Sequence, residues 1–242
     1  MPETVVSETF SLRLLTRSAA AVLLDIEGTI GSKSFVTQVM FPYASQHLRA
    51  YVAQHREDPV VRQALADTRE LSGTPNADPV NTLLDWIAQD RKAPPLKKLQ
   101  GLVWRGGFES GAFRGHLYAD ALKALHAWHS AGLPLAVFSS GSVQSQRLYF
   151  SHSMDGNLLP LFEAHFDTDV GAKTEAHSYT RIADALKQEP QQIVFLSDSA
   201  AELEAARDAG LQVLHVVRED TVPDPRFATV TDFGALHIQA LA

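Results

Sequence analysis

The sequence predicts an α/β protein, a parallel-sheet core with a small helical domain inserted after its first strand. Three observations carry that expectation. Val22-Leu23-Leu24, Leu133-Pro134-Leu135-Ala136-Val137-Phe138 and Gln192-Ile193-Val194-Phe195-Leu196 are short apolar runs bounded by turn residues, the pattern of strands buried on both faces of a parallel sheet. Past Gly115 such runs alternate with helical periodicity, the order that builds a parallel sheet with crossover helices. Between Thr29 and about Gly111 there is no strand pattern, and the 3.6-residue period takes over.

Taken in order, the first strand falls at Ala20 to Leu24, and Phe41, Leu48 and Val52 then recur at helical spacing. Val60 to Glu70 reads as a helix, Leu71 to Pro79 as a loop, and Val80 to Arg91 as a helix with Leu83, Leu84 and Ile87 on one face. The Pro94-Pro95 pair is expected to break the chain, and a helix over Leu96 to Trp104 to stop before Gly106-Gly107. Asp120 to Ala131 reads as a helix closed by Gly132. After the strand at Leu133 to Phe138 come a helix from Val143 to Phe150, a short strand at Ala164 to Asp167 and a helix over Tyr179 to Leu186. The strand at Gln192 to Leu196 leads into a helix over Ala200 to Asp208, and Val213 to Val217 forms one more strand.

Composition narrows the chemistry. With 242 residues, 45% of them hydrophobic, the chain has enough apolar material for a proper core. It has no cysteine, so disulfides, thiolate metal sites and a cysteine nucleophile are excluded, and any metal ligands must be oxygen or imidazole. Acidic residues outnumber basic ones, 28 to 21, without a block of lysine and arginine that could track a phosphate backbone. No nucleic-acid partner is therefore expected, whereas a small phosphorylated molecule needs only a few local cations. Met1-Pro2-Glu3-Thr4 lacks the basic start of a secretory signal, and no apolar run reaches membrane-spanning length. A cytoplasmic location without a membrane partner is the expectation.

Three of the strands end in polar groups: Asp25 with Glu27, Ser139 with Ser140, and Asp198. In a parallel sheet these ends lie on one edge, where open α/β sheets bind ligands, and Lys173 falls in the loop between the second and third. Two aspartates, a hydroxyl pair and an ammonium suit a phosphate dianion held through Mg²⁺, which prefers hard oxygens and keeps water and substrate phosphate as further ligands.

Together, Asp25-Ile26-Glu27-Gly28-Thr29, Ser139-Ser140-Gly141-Ser142, Lys173 and Ser197-Asp198 resemble, in order and spacing, the four motifs of the haloacid dehalogenase-like phosphatases. Glu27, where most of that superfamily carries aspartate, narrows the resemblance. With Phe41-Pro42-Tyr43, Leu99-Gln100-Gly101, His165-Phe166-Asp167-Thr168 and Lys173-Thr174-Glu175, the chain resembles the enolase-phosphatases of methionine salvage from about Val22 to Val217. The resemblance implies a Rossmann-like core of residues 1–30 and 116–242 and a helical cap of residues 31–115. It implies Asp25 as nucleophile and Glu27 as general acid and base, with Lys173 completing the catalytic set. Mg²⁺ would bind Asp25, Glu27 through its main-chain carbonyl, and Asp198, while Ser139, Ser140 and Lys173 hold the phosphate. The implied substrate is 2,3-diketo-5-methylthiopentyl-1-phosphate, enolised and then dephosphorylated to the acireductone, with the protein acting as a monomer.

Other positions admit two readings. Ser139 to Ser142 also fits a plain helix cap, and Ser199-Ala200-Ala201-Glu202 has the form of a capping box, against a supporting role for Glu202 at the metal. Trp86 and Trp104 fit packing between helices better than a substrate wall. Where the resemblance leads one to expect Thr-Thr-Pro, the chain has Thr29-Ile30-Gly31-Ser32-Lys33, and Lys33 either reaches the phosphate or faces water. The histidines His126, His129, His152, His165 and His177 show no zinc-ligand spacing.

Overall fold

Strand β1 (Leu15–Ala19) opens the computed structural model, which describes residues 15–74, 76–219 and 221–241. It is followed after one residue by β2 (Ala21–Leu24), every residue of which is buried. A run of helices comes next: α1 (Lys33–Phe35), a π-helical turn (Val36–Met40), α2 (Phe41–Gln54), α3 (Pro59–Ser72), α4 (Pro79–Ala88) and α5 (Pro94–Ser110). The chain then alternates through α6 (Ala119–Ser130), β3 (Leu135–Phe138), α7 (Val143–Ser151), β4 (Ala164–Phe166), α8 (Ala176–Leu186), β5 (Ile193–Ser197), α9 (Ala200–Asp208) and β6 (Gln212–Val216). Two further strands, β7 (Thr229–Val230) and β8 (Leu236–Ala240), end it.

The main sheet has the order β4-β3-β2-β5-β6-β7 and is parallel throughout. The chain builds outward from β2 to β3 and β4, then returns to lay β5 on the other side of β2. That reversal makes a switch point between β2 and β5, and a crevice opens beyond their carboxyl ends. Alternation along each strand divides the apolar residues between two layers. Val22, Leu24, Val137 and Leu196 share a cluster with Leu125 and Trp128 of α6 and Phe150 of α7. Ala21, Leu23, Phe138 and Phe195 meet Tyr179 and Ile182 of α8 and Leu203 and Ala206 of α9.

The inserted helices contribute Leu48, Val61, Leu83, Leu99 and Phe108 to the same apolar cluster as the first layer. Asp58 and Asp78 cap α3 and α4, each followed by proline at the first helical position. Pro94-Pro95 starts α5 rather than breaking the chain, because the first turn of a helix has no use for those N–H groups. Nor does α5 stop at Gly106-Gly107. A Cβ at Gly107 would collide with the rings of Phe113 and Tyr43, so this glycine serves close packing inside a helix. The sequence reading also lacks β1 and β8, which pair with each other in a separate parallel ribbon, Leu15 opposite Leu236. No helix among the described residues is long and apolar enough to cross a membrane.

Candidate active site

Asp25 leaves β2 at the switch point, its N–H still donating to the Leu196 carbonyl of β5 at 3.0 Å. Its side chain is buried. One oxygen accepts from Lys173 Nζ at 2.5 Å and the other from Thr29 Oγ1 at 3.1 Å. The chain then folds into a tight loop in which the Ile26 carbonyl accepts from the N–H groups of Thr29, Ile30 and Gly31. Gly28 has φ +80°, and a Cβ there would lie 2.6 Å from Asp198 Oδ2, so glycine is required by both conformation and space.

Thr29 joins the two central strand ends, since its hydroxyl also accepts from the Asp198 N–H at 3.1 Å. Glu27 accepts a hydrogen bond from Ser139 Oγ at 3.2 Å. Burial, and then the neighbouring Asp25 charge, raise its pKa from the ordinary carboxylate value. Ser139 accepts in turn from the Gly141 N–H, whereas the cap of α7 is Ser142, which accepts from the Ser145 N–H. The helix-cap reading therefore holds for Ser142 and leaves Ser139 facing Glu27. Ser140 lines the same cavity. Gln146 pins the loop by donating to the carbonyls of Gly141 and Phe166, both at 2.8 Å.

Lys173 is 7% exposed and sits between Asp25 and Glu202, 2.8 Å from Glu202 Oε2. Burial disfavours its charge, but Asp25 and Glu202 outweigh burial and raise its pKa, keeping the ammonium ionised. Its loop is held by Tyr179, whose hydroxyl donates to the Lys173 carbonyl, and by Ser178, which donates to that of Ala172. The capping box does not form: Ser199 makes no side-chain cap to α9, and Glu202 instead accepts from Lys173 and from Ser197 Oγ. Burial and the Asp25 charge push the Glu202 carboxyl up to about 7. Asp198 is likewise raised, by burial and then by Asp25, against the opposing pull of Lys33, whose ammonium contacts its Oδ2.

Asp25, Glu27, Ser139, Ser140, Lys173 and Asp198 thus meet at one end of a cavity of about 520 Å³. Its other walls come from the inserted helices, with Met40, Phe41, Trp86, Ile87, Leu96 and Trp104. Trp86 and Trp104 pack and line at once: both are buried, Trp104 donates to the Met40 carbonyl at 2.8 Å, and Phe41 stacks parallel to Trp104. Sequence reasoning weighed the two roles as alternatives. It missed Arg218, which bonds the Thr29 carbonyl at 2.9 Å and Asp120 at 2.7 Å, so that a residue beyond β6 braces the loop of Asp25. Nothing in the local sequence marks that arginine.

No group of three acidic or histidine side chains among the described residues forms a metal cluster by itself. The donors present do suit Mg²⁺, which makes do with one or two carboxylates. Asp198 lies against Gly28 on the loop that Asp25 opens, both aspartates line the same cavity, and among the described residues the Glu27 main-chain carbonyl accepts from no backbone N–H. The Lys33 ammonium contacts Asp198 at this point.

The profile of the haloacid dehalogenase-like hydrolase family matches residues 19–210, and the chain belongs to that family. It is 51% identical to the enolase-phosphatase E1 of Bradyrhizobium sp., over 93% of this chain and 97% of the relative. It is 50% identical to that of Pseudomonas aeruginosa, over 90% and 98%. Among solved structures, the UTR4 protein of Saccharomyces cerevisiae is similar, with a TM-score of 0.73 and 31% identity over 89% of this chain and 98% of that one. At this identity and coverage, the chain's place within the family is among the enolase-phosphatases.

Proposed function

We propose that the chain is a Mg²⁺-dependent enolase-phosphatase that converts 2,3-diketo-5-methylthiopentyl-1-phosphate, once enolised, to the acireductone 1,2-dihydroxy-3-keto-5-methylthiopentene and phosphate. The phosphatase activity accords with its family and its relatives. The observation that carries the reading is the pairing of Asp25 with a second, elevated carboxyl, Glu27, on one loop, with Lys173 against the first and Ser139 against the second.

Asp25 attacks phosphorus, forming an Asp25 O–P bond as the bond from phosphorus to the leaving enol oxygen breaks. Glu27 gives its proton to that oxygen, and the upward direction of its pKa, caused by burial and the Asp25 charge, favours that role. Water then attacks the aspartyl-phosphate, Glu27 takes back a proton, and phosphate leaves. Lys173, the Ser139 hydroxyl and the Ser140 main chain hold phosphate oxygens, and Lys173 offsets negative charge on the nucleophile side. Asp25, Asp198 and the Glu27 carbonyl would hold Mg²⁺, which when bound neutralises phosphoryl charge. The apolar wall of Phe41, Trp86 and Trp104 fits the methylthioalkyl end of the substrate and excludes water.

In this reading the catalytic core is drawn from residues 1–30 and 116–242, of which 1–14, 220 and 242 lie outside the described residues, and the cap from residues 31–115, of which 75 does. The protein works as a cytoplasmic monomer whose partner is its substrate. Phosphate release from the diketo phosphate should exceed release from sugar phosphates or phosphoglycolate, and an enediol chromophore should appear with it. Equal turnover of the simple esters would refute the assignment. Beryllium fluoride with Mg²⁺ should leave an adduct on Asp25.

A further inference from the structure

Lys33 lies where the loop after Asp25 enters the cap, directly after Ser32, the N-cap of α1. Its ammonium contacts Asp198 Oδ2, and its stem crosses Gly28 so closely that a Cβ there would lie 2.6 Å from Lys33 Cε. The side chain therefore lies between Asp198 and the loop that carries Glu27, whose carbonyl accepts from no backbone N–H among the described residues. Lys33 is 52% exposed while Asp198 is 6% exposed, so the lysine is the member of the pair with room to move. It also has somewhere to go: a second cavity of about 440 Å³, lined by His215, Thr221, Val222 and Pro223, meets the first at Lys33 and Asp198. The first cavity is lined by four carboxylates, Asp25, Glu27, Asp198 and Glu202, and by Lys173 among its cations.

We propose that Lys33 is a tethered competitor for the divalent cation, occupying Asp198 in the metal-free protein and withdrawing toward the second cavity when the ion arrives. The inference rests on the Mg²⁺ reading above. A carboxylate that serves both an ammonium and a divalent ion at close range brings two cations together, and their repulsion must be relieved by moving one of them. The flexible four-carbon stem of lysine allows that movement. An ion pair with one half-exposed partner is weak enough to exchange. Lys33 thus sets the affinity of the site for metal instead of closing it, and it shields Asp25 and Asp198 from each other while no metal is bound.

The test is a direct titration of Mn²⁺ into the substrate-free protein, followed by the electron paramagnetic resonance of the free ion. Lys33→Met should bind Mn²⁺ about tenfold more tightly than wild type, a change of about 1.4 kcal/mol. Lys33→Arg, which keeps the charge, should stay within about threefold, on the same scale. Thermal melts give a second readout: metal-free Lys33→Met should melt below wild type and gain more on addition of Mn²⁺. Should Lys33→Met fail to fold, Lys33→Gln is read in the same way. Equal or weaker binding in the uncharged variant overturns this inference alone, as does tenfold tightening in Lys33→Arg. Absence of binding in wild type and variant alike overturns it together with the metal assignment.

Discussion

At the strand edge, Asp25, Thr29, Lys173, Glu202 and Asp198 hold one another through hydrogen bonds and ion pairs, several of them buried. The opposite wall, built from the inserted helices, offers Met40, Phe41, Trp86 and Trp104, most of whose surface is apolar. The first is a network in which each charge fixes its neighbours' ionisation, and leaving one member unpaired costs far more than the pair contributes. The second is a surface whose contribution scales with area and tolerates adjustment. Edge changes should therefore act on turnover and cap changes on substrate affinity.

The sharpest way to break that division is Asp25→Asn, which should lower kcat by about 10⁴-fold or more, as expected where catalytic residues act as a unit. Near-normal steady-state turnover would remove Asp25 as nucleophile. Glu27→Gln should cost about 10²- to 10³-fold in kcat, within the range of general acid–base catalysis, and rapid-quench kinetics should show both half-reactions slowed. Arg218→Ala tests the scaffold under the edge. It removes a part-buried pair with Asp120 and the bond to Thr29, and urea denaturation should show a loss of about 2 kcal/mol. On the cap, Trp86→Ala should raise KM by about tenfold with kcat little changed, since a lost apolar contact is worth about 1–3 kcal/mol. A kcat effect as large as that of Glu27→Gln would dissolve the contrast between the two walls.

The smallest expected effect lies at the flank of the sheet. His165, on β4 beside Phe150 and Phe162, has its pKa lowered from 6.5 to about 4 by burial, then by Arg147. The unfolded chain takes up this proton at higher pH than the folded protein does. Stability should therefore decline as pH falls from about 6.5 toward about 4 and then level off. His165→Phe should flatten that part of a plot of Tm against pH.

Much of this molecule was legible in the chain because its buried strands and amphipathic helices carry local signals. The helix over Ala200 to Asp208 falls where its pattern placed it, and β2, β3 and β5 lie within a residue or two of their apolar runs. The errors sit where distant packing overrides local preference. Gly107 stays helical because two aromatic rings press on it, and β1 finds its partner only at the far end of the chain. The capping-box sequence at Ser199 gave way because a buried ammonium competes more strongly for Glu202 than a backbone N–H does.

The sequence by itself determined the parallel-sheet class and the family, and it singled out Asp25, Glu27, Ser139, Ser140, Lys173 and Asp198 as the candidate site, since residue identity, order and spacing along the chain suffice for these. Only the tertiary structure decided what surrounds them: Glu202 on Lys173, Arg218 beneath Thr29, Lys33 on Asp198, and tryptophans that both pack and line the cavity. Those contacts join residues remote in sequence, and their energies come from burial and charge at distances that no local pattern encodes.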